Sequence, residues 1–173
     1  MIIGQPGAGK STLAREVADV LHLPVFHVDH IHWLPGWVER DRDEKVALAR
    51  EVHAMDRWVF EGGLASIWNE RLERAEALIW LDFPVSTRLW RIARRYRAKG
   101  PRPDLPPDCP ERWDPAFLRY VWRTRRSGWA RCEAAHAAAR GAGKKAFRLR
   151  GPKAVRGLLH GLRYAAETGR LGG

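Results

Sequence analysis

A glycine-rich segment near the start of the chain carries the residue types that bind a polyphosphate. Residues 4–12, GQPGAGKST, match the pattern G-x-x-x-x-G-K-[ST] and lie between an apolar predicted strand and a predicted helix. The glycines allow backbone N–H groups to turn toward phosphate oxygens, which also meet the positive end of the helix. The loop residues predicted to bind the nucleotide are Gly4, Pro6, Gly7, Ala8, Gly9, Lys10, Ser11 and Thr12.

Two carboxylates are predicted to lie near the phosphates that this loop binds. The segments LPVFHVD and RWVFEGG are predicted to be buried strands that end at Asp29 and Glu61. Ligands of open parallel sheets bind beyond the carboxyl ends of the strands, where both side chains would meet the phosphates. We assign Lys10 to the β- and γ-phosphates, and Ser11 and Glu61 to Mg²⁺, Glu61 through water. Asp29 would orient or deprotonate an acceptor hydroxyl, and an exchange of roles between the two carboxylates stays open.

Three histidines surround Asp29 in the segment HVDHIHWLPGW, residues 27–37. We predict that His27 is a hydrogen-bonded core residue, and that the side on which the acceptor binds is lined by His30, His32, Trp33 and Trp37. The alternative is a zinc site formed by the three histidines, but this segment lacks a fourth ligand at the spacing that zinc sites use.

Positive charge is concentrated in one part of the chain. The formal net charge is +11, and residues 91–131 hold twelve Arg and Lys against four Asp and Glu, a net +8. Guanidinium groups match phosphate oxygens, so this segment could close over a triphosphate. It could equally form a nucleic-acid-binding face, with Trp113, Trp122 and Trp129 interleaved among the basic residues.

The elements that must position these residues alternate along the chain. Apolar strands are predicted at residues 1–3, in the two segments above, in ALIWLDFP and in KKAFRLR, with helical patterns between them. Such alternation predicts an α/β fold with three α/β/α layers and a five-stranded parallel sheet. Ser86 is expected to cap a helix that buries Leu89, Ile92, Ala93 and Tyr96. Trp58, Trp80 and Trp90 are expected in the core.

Proline and cap signals organise the second half of the chain. Six prolines between residues 100 and 115 predict irregular structure. The pair Asp114-Pro115 then predicts one long helix that ends near Gly141, and a last helix is expected at residues 153–168.

The length and composition predict one globular domain. The sequence has neither a run of about 20 apolar residues nor a secretory signal, so we expect no membrane partner and a cytoplasmic location.

The two cysteines cannot make a disulfide framework. Only three residues precede Gly4, so we expect the natural start to lie upstream. A monomer or a dimer is equally compatible with the sequence.

The glycine-rich loop, the strand ends and the segment LIWLDFPVSTRLWRIARRYR together resemble the nucleoside monophosphate kinase group of P-loop proteins. The chain looks most like the small bacterial adenylate-kinase-like ATPases labelled DNA topology modulation proteins. This resemblance implies that Arg91 lies against adenine and that Arg95, with Arg94 as a competitor, reaches the transferred phosphate. It also implies an adenine edge at Arg150 and Pro152. A lid is implied at residues 97–131, with phosphate contacts from Arg119, Arg123, Arg125 and Arg126.

The same resemblance divides the domain into a core, residues 1–29, 58–96 and 140–173, and an acceptor-side helical insert, residues 30–57. It implies an ATP-dependent phosphotransferase that moves the γ-phosphate of Mg-ATP to a small-molecule or nucleotide acceptor. The insert lacks the arginine and glycine signatures of kinases that act on AMP, so no acceptor is predicted. The alternative is an ATP-dependent nucleic-acid-associated protein that uses the basic residues 91–131.

Overall fold

A computed structural model describes residues 1–97 and 104–169. Its strands, in chain order, are β1 (Ile2–Gly4), β2 (Val25–His27), β3 (Trp33–Leu34), β4 (Val38–Glu39), β5 (Val59–Glu61), β6 (Ala77–Leu81) and β7 (Lys145–Leu149). Five of them form one parallel sheet in the order β2-β5-β1-β6-β7, and β3 and β4 form a separate antiparallel hairpin. The parallel five-stranded sheet confirms the predicted fold class.

Eight helices connect and cover these strands within the described residues. They are α1 (Lys10–Leu21), α2 (Val28–His32), α3 (Arg42–Ala54), α4 (Trp68–Arg74), α5 (Val85–Arg97), α6 (Pro115–Arg123), α7 (Arg125–Gly141) and α8 (Pro152–Glu167). Within residues 1–97 and 104–169, none of them is long and apolar enough to span a bilayer.

The central strands β5, β1 and β6 are buried on both faces because they are apolar at successive positions. Alternation along each strand places Ile2, Ile79 and Leu81 in one cluster, with residues of α1 and α8. Ile3 and Trp80 enter the opposite cluster, which includes Cys132 and Ala139 of α7. The three predicted layers are therefore helices α1 and α8, the sheet, and the face covered by α7.

Two predicted boundaries were wrong. Strand β2 ends at His27, not at Asp29, because the chain turns into α2 at Val28, which packs against the Gly62 backbone. Asp29 therefore lies in the first turn of a short helix, two residues beyond the strand. The predicted long helix is two helices, α6 and α7, that meet at Thr124.

The caps explain where α6 begins and ends. Asp114 accepts hydrogen bonds from the backbone N–H groups of Ala116 (2.8 Å) and Phe117 (3.2 Å), which confirms the predicted cap. At the other end, the hydroxyl and the N–H of Thr124 both donate to the carbonyl of Tyr120, at 2.8 and 2.9 Å. A threonine that satisfies a carbonyl of the preceding turn favours a break in the helix.

Helix α5 buries Ile92 as predicted, but its other buried residue and the exposure of Tyr96 differ from the prediction. It begins at Val85, so Ser86 is not its cap, and its buried residues are Arg88 and Ile92. Tyr96 and Trp90 are 41% and 58% exposed, which contradicts their predicted burial. Tyr96 instead lies against Trp113, with ring centroids 5.3 Å apart. An arginine occupies the core-facing position because backbone carbonyls, described below, satisfy its guanidinium.

A neutral histidine is buried on α3, within the predicted acceptor-side insert. His53 is 5% exposed, lies against the rings of Trp58 and Phe60, and has no hydrogen-bond partner on either ring nitrogen. Burial, reinforced by the nearby positive charge of Arg71, lowers the pKa of His53 to about 4. The folded protein therefore holds His53 uncharged at pH values where the unfolded chain would protonate it.

This histidine should make stability depend on pH. Because its folded-state pKa lies below the value near 6.5 of an unfolded chain, stability should fall as pH drops from about 6.5 to about 4. His53→Phe should remove this contribution, which we estimate on the order of 2 kcal/mol at pH 4. Denaturant unfolding of both proteins at pH 7 and pH 4 measures the difference, and an equal pH dependence in the two would contradict the prediction.

Candidate active site

The glycine-rich loop adopts a conformation that only glycines allow at its key positions. Gly7 and Gly9 have φ values of +79° and +95°, in the left-handed region that side chains disfavour. A Cβ atom at Gly7 would lie 2.6 Å from the carbonyl oxygen of Arg88, and one at Gly4 would lie 2.8 Å from that of Leu81. Helix α1 begins directly after Gly9, without a side-chain cap, so its first N–H groups are free to bind phosphate. The loop therefore fits the predicted polyphosphate.

Two arginines of α5 bind the carbonyl oxygens of this loop. Arg88, only 2% exposed, donates from Nη1 to Pro6 O and from Nε to Phe83 O, both at 3.2 Å. Arg91 donates from Nη1 to Ala8 O at 2.7 Å, and its Cζ lies over the Phe83 ring, 4.1 Å from the centroid. Burial lowers the pKa of both guanidinium groups. These hydrogen bonds satisfy two loop carbonyls and tie the loop to α5.

Sequence reasoning found Arg91 but not Arg88. The burial of Arg88 could have been predicted from its position, because it lies four residues before the buried Ile92 and so shares its helix face. A charged residue on an apolar face indicates a buried hydrogen-bonding partner.

Glu61 lies at the end of β5, directly beside the loop strand. The register pairs it with Ile2 of β1 and with His27 of β2. It is 3% exposed and binds His27 Nδ1 through Oε1 at 2.7 Å. Burial by itself would raise the pKa of Glu61. Hydrogen bonds from His27 and Ser11, together with the charge of Lys10, outweigh that cost and lower it. An ionised carboxylate thus meets the Ser11 hydroxyl, which is the donor set proposed for Mg²⁺.

Asp29 differs from Glu61 in its electrostatic surroundings. The Asp29 side chain is exposed to solvent in part. The protein around it nevertheless displaces water, and this desolvation raises the pKa of Asp29. The charge of Lys10 opposes this effect, while the charges of Glu61 and Asp104 add to it. The pKa of Asp29 and that of Glu61 thus both respond to the charge of Lys10, and the assignment of the three residues to one catalytic site stays a prediction. A carboxylate with a raised pKa holds a proton more readily than an ordinary one.

The remaining predicted residues have the following partners and positions. Arg95 donates from Nε to Glu111 at 2.5 Å. Arg150 is exposed, with Nε 3.6 Å from Asp82, and Pro152 occupies the first turn of α8. Their assignment to nucleotide and phosphate contacts stays a prediction. Residues 98–103 of the predicted lid and 170–173 of the predicted core lie outside the described residues.

The histidines near Asp29 have partners other than a metal. His27 is 7% exposed and bonded to Glu61, which confirms its prediction as a core residue. His30 packs against the His27 ring at 5.3 Å, and His32 lies 3.5 Å from Glu39. In residues 1–97 and 104–169 no three His, Cys, Asp or Glu side chains are grouped as a metal site would need.

The acceptor-side insert touches the segment predicted to be the lid. The β3–β4 hairpin meets residues 108–110 through four hydrogen bonds: Gly36 N to Asp108 O (3.1 Å), Trp37 N to Cys109 Sγ (3.4 Å), Cys109 Sγ to Leu34 O (3.3 Å) and Trp37 Nε1 to Pro110 O (3.1 Å). Cys109 is 2% exposed. This hairpin contact joins two segments that are 75 residues apart in sequence.

Comparison with known proteins supports the kinase fold. No family model matches this sequence. Over 111 residues the chain is 37% identical to the cytidylate kinase of Halobacterium salinarum, a match that covers 54% of this chain and 56% of that protein. The similarity therefore spans little more than half the length of that curated relative.

Two solved structures cover nearly the whole chain. Shikimate kinase from Acinetobacter baumannii superimposes with a TM-score of 0.56 at 18% identity, covering 98% of this chain and 93% of that one. A kinase candidate from Chloroflexus aurantiacus gives a TM-score of 0.52 at 16% identity, covering 94% and 96%. At such identities the likeness concerns the fold alone. The chain has the P-loop fold seen in shikimate kinase.

The loop geometry makes Gly7→Ala a specific test of nucleotide binding. The new methyl group would meet the Arg88 carbonyl, so the loop must open and affinity for Mg-ATP should fall at least about tenfold, from the loss of aligned N–H donors. Gly143→Ala is the matched control, because Gly143 also has a positive φ (+71°) but no atom lies within 4 Å of the place its new methyl group would take. That control should lose about 1 kcal/mol of stability and keep its affinity. Equal nucleotide affinities in the two variants, measured by calorimetry, would contradict the prediction.

The hairpin contact can be tested by proteolysis. Cys109→Ala removes the thiol that both donates and accepts in this contact, at a cost of about 1 kcal/mol. Trypsin cleavage after the exposed Arg112 should become roughly fivefold faster as the segment opens more often. Cys132→Ala deletes an equally buried thiol from the α7 side of the core and should not accelerate cleavage at Arg112 selectively. Identical cleavage patterns would show that the hairpin contact does not hold this segment.

Proposed function

We propose that the protein is an ATP-dependent phosphotransferase that moves the γ-phosphate of ATP to a small-molecule or nucleotide acceptor. The observation that carries this proposal is the arrangement of Lys10, Glu61 and Asp29 beside the glycine-rich loop, with one carboxylate of lowered and one of raised pKa. A plain phosphate-binding protein has no need for two carboxylates tuned in opposite directions. The P-loop kinase fold and the partial similarity to a cytidylate kinase support the proposal.

The loop residues would hold the nucleotide. The N–H groups that begin α1 and those of the loop would bind phosphate oxygens, with Lys10 at the β- and γ-phosphates. Ser11 and Glu61 would hold Mg²⁺, which supplies charge neutralisation on the phosphate oxygens. We assign the adenine to the region between Arg91 and the turn formed by Arg150 and Pro152. The guanidinium of Arg91 already lies over the Phe83 ring, and such a group can also lie over a base.

Asp29 would act on the acceptor. Its carboxylate orients the acceptor hydroxyl and takes its proton as the oxygen forms a bond to the γ-phosphorus. The bond between that phosphorus and the β,γ-bridging oxygen breaks, and ADP departs with the electron pair. A raised pKa makes Asp29 a better proton acceptor than an ordinary aspartate. Lys10 stabilises the charge that accumulates on the transferred group.

Arg95 is proposed to reach the transferred phosphate from α5. Its guanidinium is bound to Glu111, so it would have to exchange that carboxylate for phosphate oxygens when the nucleotide binds. Such an exchange is inexpensive because Arg95 is about one-third exposed, and partly exposed ion pairs contribute little stability.

The acceptor is proposed only as a class. The relatives are named for cytidylate and for shikimate, and one was solved with shikimate bound. Because the two relatives are named for such different compounds, they support phosphate transfer to a small molecule but favour neither compound as the acceptor. The insert of this chain supplies His30, His32 and the hairpin that packs Trp33 against Trp37, with ring centroids 5.6 Å apart.

A role in nucleic-acid binding has weaker support. Of the three tryptophans assigned to that face, Trp129 packs on Trp80 in the core cluster, with ring centroids 5.9 Å apart. Trp113 and Trp122 are about half exposed, and Arg125 lies over the Trp122 ring. The nucleic-acid function therefore stays a hypothesis that we place second.

The proposal predicts separate effects for the two charged residues. Lys10→Ala should weaken Mg-ATP binding, whereas Asp29→Asn should keep that binding and lower phosphate transfer by about 10²-fold or more, because a base is lost. Asp29→Asn should also raise the melting temperature. The folded-state pKa of Asp29 is raised, so the ionised side chain costs stability at neutral pH.

The measurement is ADP release with a panel of nucleosides, nucleotides and small alcohols. Asp19→Asn, which changes an exposed aspartate elsewhere on α1, is the matched control and should behave as the unaltered protein. If an acceptor-dependent activity survived unchanged in both Lys10→Ala and Asp29→Asn, the proposed mechanism would be wrong.

A further inference from the structure

A buried histidine contacts the carboxylate that is assigned to Mg²⁺. His27 and Glu61 are the last residues of β2 and β5, and the strand register places them side by side. The Nδ1 atom of His27 lies 2.7 Å from Glu61 Oε1. Their side chains are only 6% and 3% exposed, so water does not compete for this contact. The contact is therefore a fixed feature of the folded chain.

The direction of this hydrogen bond follows from the chemistry of the two groups. Burial opposes the ionisation of Glu61, yet the hydrogen bond from His27 and the charge of Lys10 outweigh burial and lower the pKa of Glu61. An ionised carboxylate can only accept, so His27 Nδ1 carries the hydrogen and donates it. Hydrogen bonds to charged oxygens are among the stronger ones in proteins. His27 thus acts on Glu61 through a directional bond as well as through packing.

Other contacts hold the backbone around Glu61. Gly62 follows it, and a Cβ atom placed on Gly62 would lie 2.7 Å from the Cβ atom of Val28. The carbonyl of Gly62 also accepts from Arg71 Nη1 at 3.3 Å. These contacts fix the end of β5 but do not set the rotamer of the Glu61 side chain. The bond from His27 restrains that rotamer, because holding Oε1 in place determines where the other carboxylate oxygen lies.

We propose that His27 is a positioning residue for the divalent cation. Its Nδ1–H would hold the Glu61 carboxylate in the orientation that binds Mg²⁺ together with Ser11. Hydrogen-bond partners of metal ligands commonly set the orientation of those ligands, and their loss weakens metal binding about 10- to 100-fold. This inference rests on the proposed function, which assigns Mg²⁺ to Ser11 and Glu61.

A purely structural role for His27 would have a different signature. If the histidine only filled space in the core, its loss would affect nucleotide binding with and without metal alike. A positioning role affects only the metal-dependent part of binding, because the phosphate loop binds the nucleotide through its own N–H groups. Nucleotide binding measured with and without a divalent cation therefore separates the two roles.

Leucine and asparagine provide a matched pair of substitutions at this position. Their side chains have nearly the same shape, and only asparagine offers an N–H donor, on an atom bonded to Cγ as Nδ1 of His27 is. His27→Leu should weaken the binding of Mn²⁺ to the complex of the full chain with a non-hydrolysable ATP analogue by about tenfold or more. His27→Asn should keep most of the Mn²⁺ affinity. Electron paramagnetic resonance measures free Mn²⁺, and calorimetry measures the analogue affinity without metal, which neither variant should change.

His53→Leu is the control for the loss of a buried histidine. His53 is 5% exposed and has no hydrogen-bond partner among the described residues, so its replacement should leave the Mn²⁺ affinity as in the unaltered protein. His27→Val, which lacks a donor and suits a strand, repeats the test if His27→Leu does not fold.

Two results would overturn this inference and leave the proposed function intact. The first is an unchanged Mn²⁺ affinity in His27→Leu. The second is an equal loss in His27→Leu and His27→Asn, which would assign the effect to the missing ring and not to the donor. If the unaltered protein with the analogue binds no Mn²⁺, the proposed metal site itself is wrong, and the inference fails with it.

Discussion

The close contact between the glycine-rich loop and helix α5 is the constraint on which the site depends. At Gly7 the loop backbone approaches the α5 backbone so closely that a single methyl group would overlap the Arg88 carbonyl. The same helix then supplies Arg88 and Arg91 to the loop carbonyls of Pro6 and Ala8. Each peptide group has a donor and an acceptor, so the loop carbonyls that are taken out of water need hydrogen-bond partners. Helix α5 provides those partners.

The sheet brings two carboxylates to one end and gives each a different environment. Glu61 is buried, but His27, Ser11 and Lys10 stabilise its charge and lower its pKa. Asp29 stands one turn into α2, where displaced water and the charge of Glu61 raise its pKa. One group is thereby suited to bind a cation and the other to accept a proton, although both are acids of similar intrinsic strength. Their difference arises from neighbours and not from residue type.

Several of the arginines that give the chain its charge of +11 make specific contacts. Arg71 is fully buried over the Phe60 ring, Arg148 binds Asp82 and lies over Trp80, and Arg125 lies over Trp122. Guanidinium groups suit these positions because they stack on rings and donate in a plane. Part of the basic charge is therefore engaged within the fold.

The sequence by itself determined the phosphate loop, the alternating fold and the position of Glu61, because each depends on local patterns. Glycine spacing, apolar runs and strand ends are properties of short segments, and the parallel sheet follows from their alternation. The burial of His27 was also predicted correctly.

The tertiary structure alone decided that β2 stops before Asp29, that Thr124 divides the long helix, and that Arg88 rather than Tyr96 faces the core. Each of these results depends on a contact with a distant segment or on a carbonyl that the local sequence does not specify. The contact between the hairpin and Cys109 is the clearest example, since it joins residues 75 positions apart by hydrogen bonds that no periodicity encodes.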